Sequence, residues 1–172
     1  MLEVPSRPRA RLNALSLYGL FGLCLAIAVH FGTYIGAPLD PNNPLFFGLE
    51  IAIFPLFFVF VYRIRAWQGV RRGMFGLKRS SLRWREMLPY FPTWVPPLFG
   101  LLFGYAIVNF LLAISHLPPK GATGPLTAAQ ALYTVRAFSG HWLVFYALPT
   151  LFFLFVPADA RPPAESTEAA VR

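Results

Sequence analysis

The sequence predicts an all-α integral membrane protein, a four-helix transmembrane bundle, on three observations. Only 13% of its 172 residues are charged against 56% apolar, and the mean hydropathy is +0.55, whereas soluble domains carry about 25% charged residues. Four apolar runs each approach the roughly 20 residues a helix needs to cross the hydrocarbon core. The basic residues gather on alternate connections, the pattern of a chain that crosses and returns. This composition excludes an ordinary soluble domain and a disordered protein. The single cysteine, Cys24, excludes an internal disulfide framework and a cysteine-based metal site within one chain.

The spans fall at about 14–35, 45–62, 94–114 and 141–156, in a single membrane domain covering residues 1–157. The first, Ala14 to Ile35, follows Arg7, Arg9 and Arg11. It is longer than the 7–15-residue core of a signal peptide, and Ile35-Gly36-Ala37 is a poor cleavage site, so it reads as a retained helix. Gly19, Gly22, Ala26 and His30 recur along it as one stripe of small or polar residues, a packing face. The second span, Leu45 to Tyr62, contains Pro55, where a kink is expected.

The connection from Arg63 to Phe91 carries Arg63, Arg65, Arg71, Arg72, Lys78, Arg79, Arg83 and Arg85, interleaved with Trp67, Met74, Phe75 and Trp84. Apolar bodies beside cationic heads predict a basic interfacial segment, bound to the anionic headgroups of the lipid bilayer over Arg63–Arg85. Gly69, Gly73 and Gly76 predict a bend, and a helix is expected near Ser80–Leu88. The third span, Trp94 to Ile114, opens on Pro96-Pro97, tolerated in a first turn. Its Gly100 and Gly104 form a GxxxG pair expected to pack within the bundle.

A Pro/Gly loop is expected from His116 to Pro125. Thr127 and Gln130 then read as a capping box that opens an outer amphipathic helix toward Phe138. Ser139-Gly140 predicts a bend into the fourth span, which starts at His141 with Trp142 at the interface and contains Pro149. Residues 158–172 are expected to be a disordered cytoplasmic tail.

Three basic residues precede the first span and eight separate the second from the third. None lies between the first and second, and only Lys120 and Arg136 lie between the third and fourth. Both termini are therefore expected in the cytoplasm, with the protein in a bacterial-type plasma (inner) membrane. The same distribution argues against nucleic acid as a partner, because no separate soluble basic domain is present.

The polar groups within or beside the spans are His30, Glu50, Asn109, His116 and His141. His30 and Glu50 each lie five residues inside the outer end of their span, roughly 7–8 Å deep. A short connection, Gly36 to Asn43, makes these spans neighbours, so His30 and Glu50 are expected to pair. His116 ends the third span and His141 begins the fourth on the same side. His30, Glu50, His116 and His141 thus form an outer-leaflet polar cluster and a candidate cofactor-binding set.

Two facing histidines suit a haem iron, with Arg136 placed for a propionate, and His30–Glu50 with Phe31, Phe46 and Phe47 beside it suits a quinone or proton site. No two share a helix at metal-ligand spacing, so no metal site is assigned and the cofactor stays unknown. The bland alternative is that Glu50 and His30 satisfy each other while His116 and His141 are wetted at the boundary. The chain has no HExxH, GxSxG, P-loop or GxGxxG pattern in a suitable context. Ser139 and His141 are two residues apart and do not face each other on a helix. These features read as a non-catalytic accessory or structural subunit packed beside a larger membrane-protein complex. The alternative is an electron-transfer protein binding haem b or quinone in the outer leaflet. A small transporter is disfavoured, because no inverted repeat is visible and the polar path stops in the outer half.

Overall fold

Asn13 opens the first helix. Its carboxamide oxygen accepts from the Ser16 N–H at 3.0 Å, and the Ser16 hydroxyl accepts from the Asn13 N–H at 2.9 Å. This reciprocal cap satisfies two donors that a helix start leaves free. The computed structural model describes residues 10–67, 87–118 and 124–157, and in it α1 spans Ala14–Gly32. The helix stops three residues short of the expected Ile35 because the chain turns at its end. The Ala37 N–H donates to the Gly32 carbonyl at 2.9 Å, and Gly36 takes φ +79°, a left-handed conformation natural to glycine. A side chain at Gly32 would place its Cβ 2.7 Å from the Ala37 carbonyl oxygen.

Helix α2 spans Pro44–Trp67, longer than the apolar run alone, and Pro44 occupies the first turn, where a missing N–H matters least. A 3₁₀ turn, Leu88–Tyr90, leads to α3, Val95–Ser115, which also starts on prolines. The expected glycine bend and most of the Ser80–Leu88 helix lie outside the described residues, as does the tail 158–172. Thr127 and Gln130 form the predicted capping box, with backbone-to-side-chain bonds of 3.3 and 2.9 Å, and open α4, Ala128–Phe155.

The expected bend at Ser139-Gly140 does not occur, and the outer amphipathic helix and the fourth span are one 28-residue helix. Ser139 donates its hydroxyl to the Val135 carbonyl one turn earlier at 2.6 Å, so it is satisfied inside the helix. Gly140 has no positive φ and is small because α4 passes close to Asn109 and His30 there. A Cβ on it would stand 3.7–3.8 Å from those side chains.

Helix α4 is the axis of the bundle, and α1, α2 and α3 each pack on it. Helix α1 runs antiparallel along its whole length. Asn13 Nδ2 donates to the Phe153 carbonyl at 2.8 Å at one end, and Thr33 meets Arg136 at the other. Gly19 and Gly22 bring the two backbones together over Thr150 and the Tyr146 ring, so the predicted stripe is the contact face. Helix α2 packs on α4 and α1 through Phe46, Leu49, Ile53, Leu56 and Phe60. Aromatic contacts tie it to α4: Phe46 lies 4.8 Å from Trp142 and Phe60 lies 5.2 Å from Phe152, both edge-on, the geometry ring quadrupoles favour. Helix α3 touches the bundle mainly along α4 and makes no extended contact with α2.

Pro55 and Pro149 sit inside continuous helices. Beside each, a hydroxyl donates to the carbonyl three residues earlier: Tyr18 to Ala52 at 2.8 Å, and Thr150 to Tyr146 at 2.6 Å. Prolines disturb the local hydrogen-bond ladder, and side-chain donors of this kind make them tolerable in lipid.

The four helices are long and apolar enough to cross a membrane, and large apolar side chains such as Phe21, Phe54, Phe58 and Leu101 project from the bundle. The chain is a small polytopic integral membrane protein.

Candidate polar site

His30 is the centre of the polar structure at the end of the bundle where α1 finishes. It is 7% exposed, and both ring nitrogens are engaged: Nδ1 with Ser139 Oγ at 2.7 Å, Nε2 with the Tyr105 hydroxyl at 2.5 Å. The Tyr105 hydroxyl also meets that of Tyr34 at 2.5 Å. With the imidazole neutral, counting protons gives one consistent direction for every bond. Ser139 has one hydroxyl proton and gives it to the Val135 carbonyl, so it accepts from His30 Nδ1–H. Nε2 is then the bare nitrogen and accepts from Tyr105, whose oxygen accepts from Tyr34. The chain Tyr34 to Tyr105 to His30 to Ser139 to Val135 leaves none of these hydroxyl or imidazole protons without an acceptor. It ends on a peptide carbonyl, which has no proton to pass on. The arrangement therefore fastens α1, α3 and α4 together.

The expected His30–Glu50 pair does not form. Ser139 and Trp142, which receive His30 and Glu50, are three residues apart on α4, so the two polar groups lie at similar levels of the bundle. The rotation differs: His30 turns toward α3 and α4, while the half-buried Glu50 carboxylate accepts from the indole N–H of Trp142. Trp142 is 0% exposed. It is a core residue and not an interfacial one, because α4 begins at Ala128 and carries it into the bundle.

His116 caps the end of α3, donates from Nδ1 to the Leu112 carbonyl at 2.7 Å, and stacks on Tyr133 with centroids 3.7 Å apart. His141 does not begin a helix. It lies 13 residues into α4, about 20 Å along it. Its ring is exposed from the bundle, stacked on Phe145 at 4.2 Å, and borders a groove between α3 and α4 of about 260 Å³, walled by Phe103, Ile107 and Phe110. That volume lies below the roughly 300–1,000 Å³ of small-molecule pockets. His30, Glu50, His116 and His141 thus occupy four different settings. Among the described residues, no three His, Cys, Asp or Glu side chains come together as a metal ion would require.

Sequence reasoning missed Tyr34, Tyr105 and Ser139 as partners of His30. The signal available was a set of hydroxyls at matching depth, but hydroxyls are common in apolar helices and depth alone does not select among them. Arg136 also belongs to this end. It is half-buried, donates from Nε to Thr33 Oγ1 at 3.2 Å and from Nη2 to the Thr33 carbonyl at 3.0 Å, and lies over the Tyr34 ring at 4.3 Å. Its charge thereby caps the carbonyl end of α1, where the helix dipole is negative. The Thr33 hydroxyl in turn donates to the His30 carbonyl at 2.7 Å, joining the arginine to the histidine network.

No known protein family, characterised protein or solved structure matches the chain.

Proposed function

We propose that the protein is a non-catalytic subunit that packs, through α3, beside a larger membrane-protein complex. The observation that supports this reading is the state of the Gly100–Gly104 pair. It was expected to pack inside the bundle, yet a Cβ on either glycine would meet nothing within 4 Å. Only Val95 and Asn109 of α3 are buried. Glycine in a helix interior costs about 1 kcal/mol relative to alanine, and none of the described residues makes a close contact with either glycine in return. A close helix from another subunit is where such a pair repays its cost, because small residues let backbones approach in lipid.

In this reading His30 and Glu50 are internal fastenings, and His116 and His141 belong to the rim and the α3–α4 groove. The positive-inside distribution supports an orientation with the 63–91 connection and both termini in the cytoplasm of a bacterial-type inner membrane, the connection resting on anionic headgroups. Extraction from native membranes in mild detergent followed by native electrophoresis tests the proposal. The protein should migrate far above the micelle-bound 19.3 kDa monomer, and the double variant Gly100→Leu, Gly104→Leu should fall to monomer size with its helix content unchanged. Wild-type protein already at monomer size would contradict it.

A further inference from the structure

Arg136 is a half-buried cation without an anion in the described protein. The described carboxylates are Asp40, whose Oδ1 accepts from the Asn42 backbone and side chain at 2.9 and 3.2 Å, and Glu50, which accepts from Trp142. Neither reaches Arg136. The guanidinium carries five N–H donors in a flat fork. The side edge, Nε and Nη2, is committed to Thr33, which leaves three N–H groups, two of them on the end edge, with no partner among the described residues. The Tyr34 and Tyr133 rings, 4.3 and 5.8 Å from the guanidinium carbon, hold the plane in place.

Its depth says what the free edge meets. Thr33 is the C-cap of α1, a helix long and apolar enough to cross a membrane, so the end of that helix sets Arg136 at the level expected for headgroup phosphates. Tyrosines are enriched at the same level, and His116, stacked on Tyr133, adds an imidazole to the rim. A rigid guanidinium with one edge committed and one edge open matches two oxygens of a phosphate bidentately. We propose that Arg136 holds the phosphate of an anionic phospholipid headgroup, with Thr33 fixing the fork and Tyr34 and Tyr133 flanking it. The site is independent of the α3 face and of any protein partner.

The test is lipid retention by the purified full chain in nanodiscs and by native mass spectrometry, comparing phosphatidylglycerol with phosphatidylcholine. The basic 63–91 connection will hold anionic lipid as well, so the readout is the difference between wild type and Arg136→Gln. The wild type should retain one more phosphatidylglycerol than the variant, and that lipid should bind roughly tenfold or more tightly than in the variant. Inorganic phosphate at the same concentration should not displace it, whereas displacement would assign the site to a free anion and overturn the lipid reading. Equal retention by wild type and Arg136→Gln would overturn the site altogether. If Arg136→Gln loses helix content, Arg136→Lys serves instead. It keeps the charge and loses the fork, and binding indistinguishable from wild type would then exclude bidentate recognition.

Discussion

Replacing Trp142 by alanine is expected to lower the stability of the bundle by about 3–5 kcal/mol, the range for deleting a large buried aromatic side chain. Trp142 is fully buried on the central helix, packs edge-on against Phe46, and supplies the indole N–H that the Glu50 carboxylate accepts. Alanine therefore opens a cavity between α2 and α4 and orphans a polar group at once. The two terms separate in companion variants. Trp142→Phe keeps most of the packing and loses only the donor, at about 1–3 kcal/mol for an unsatisfied buried group. Glu50→Gln keeps an acceptor for the indole and should stay near wild type. Denaturant titration in detergent, followed by helical ellipticity, should give the order Glu50→Gln, Trp142→Phe, Trp142→Ala in rising cost. A Trp142→Ala protein as stable as wild type would contradict the placement of this residue in the core.

Gly22→Val is expected to cost about 1–3 kcal/mol or more, the penalty for overfilling a packed interior. A Cβ at Gly22 would stand 2.5 Å from Tyr146 Cδ1 and 2.6 Å from Cζ. The ring cannot swing aside easily, since it is 1% exposed and its hydroxyl donates to the Leu49 carbonyl at 2.7 Å. Valine at Gly22 must therefore push α1 off α4 or break the link from α4 to α2. The same change at Gly104 meets open space and should leave the stability of the isolated protein unchanged. Two glycines of one composition thus give opposite results, and equal destabilisation at both would refute the packing described for α1 and α3.

The number of helices and the contact face of α1 were legible in the sequence, because both depend on apolar length and on the spacing of small residues. Gly19, Gly22, Ala26 and His30 are all buried, as that stripe predicts. Rotation about the helix axes was not legible. Rise per residue puts His30 and Glu50 at similar levels, as their partners on α4 also do, but a helix apolar on all sides carries no mark of which neighbour a polar group faces. So His30 turned to Tyr105 and Ser139, and Glu50 to Trp142. Ser139-Gly140 misled for a related reason. In water such a pair signals a turn, whereas between close-packed membrane helices small residues mark contact. That single misreading put His141 and Trp142 at the interface, whereas both lie well inside one long helix. Gly100 and Gly104 carry the same ambiguity, since a GxxxG pair marks a close contact without saying whether the partner belongs to the same chain.

The measurement closest to the central claim, that α3 presents a face to another protein, is site-directed photo-cross-linking in native membranes. A photoreactive residue is placed in turn at the outward positions Leu101, Val108 and Leu111 of α3, and at Phe21 of α1 and Phe54 of α2, all exposed from the bundle. The account predicts a discrete product of one defined mass from the α3 positions and none from Phe21 or Phe54. Absence of any product from α3, or the same products from all three helices, would show that lipid alone covers this face.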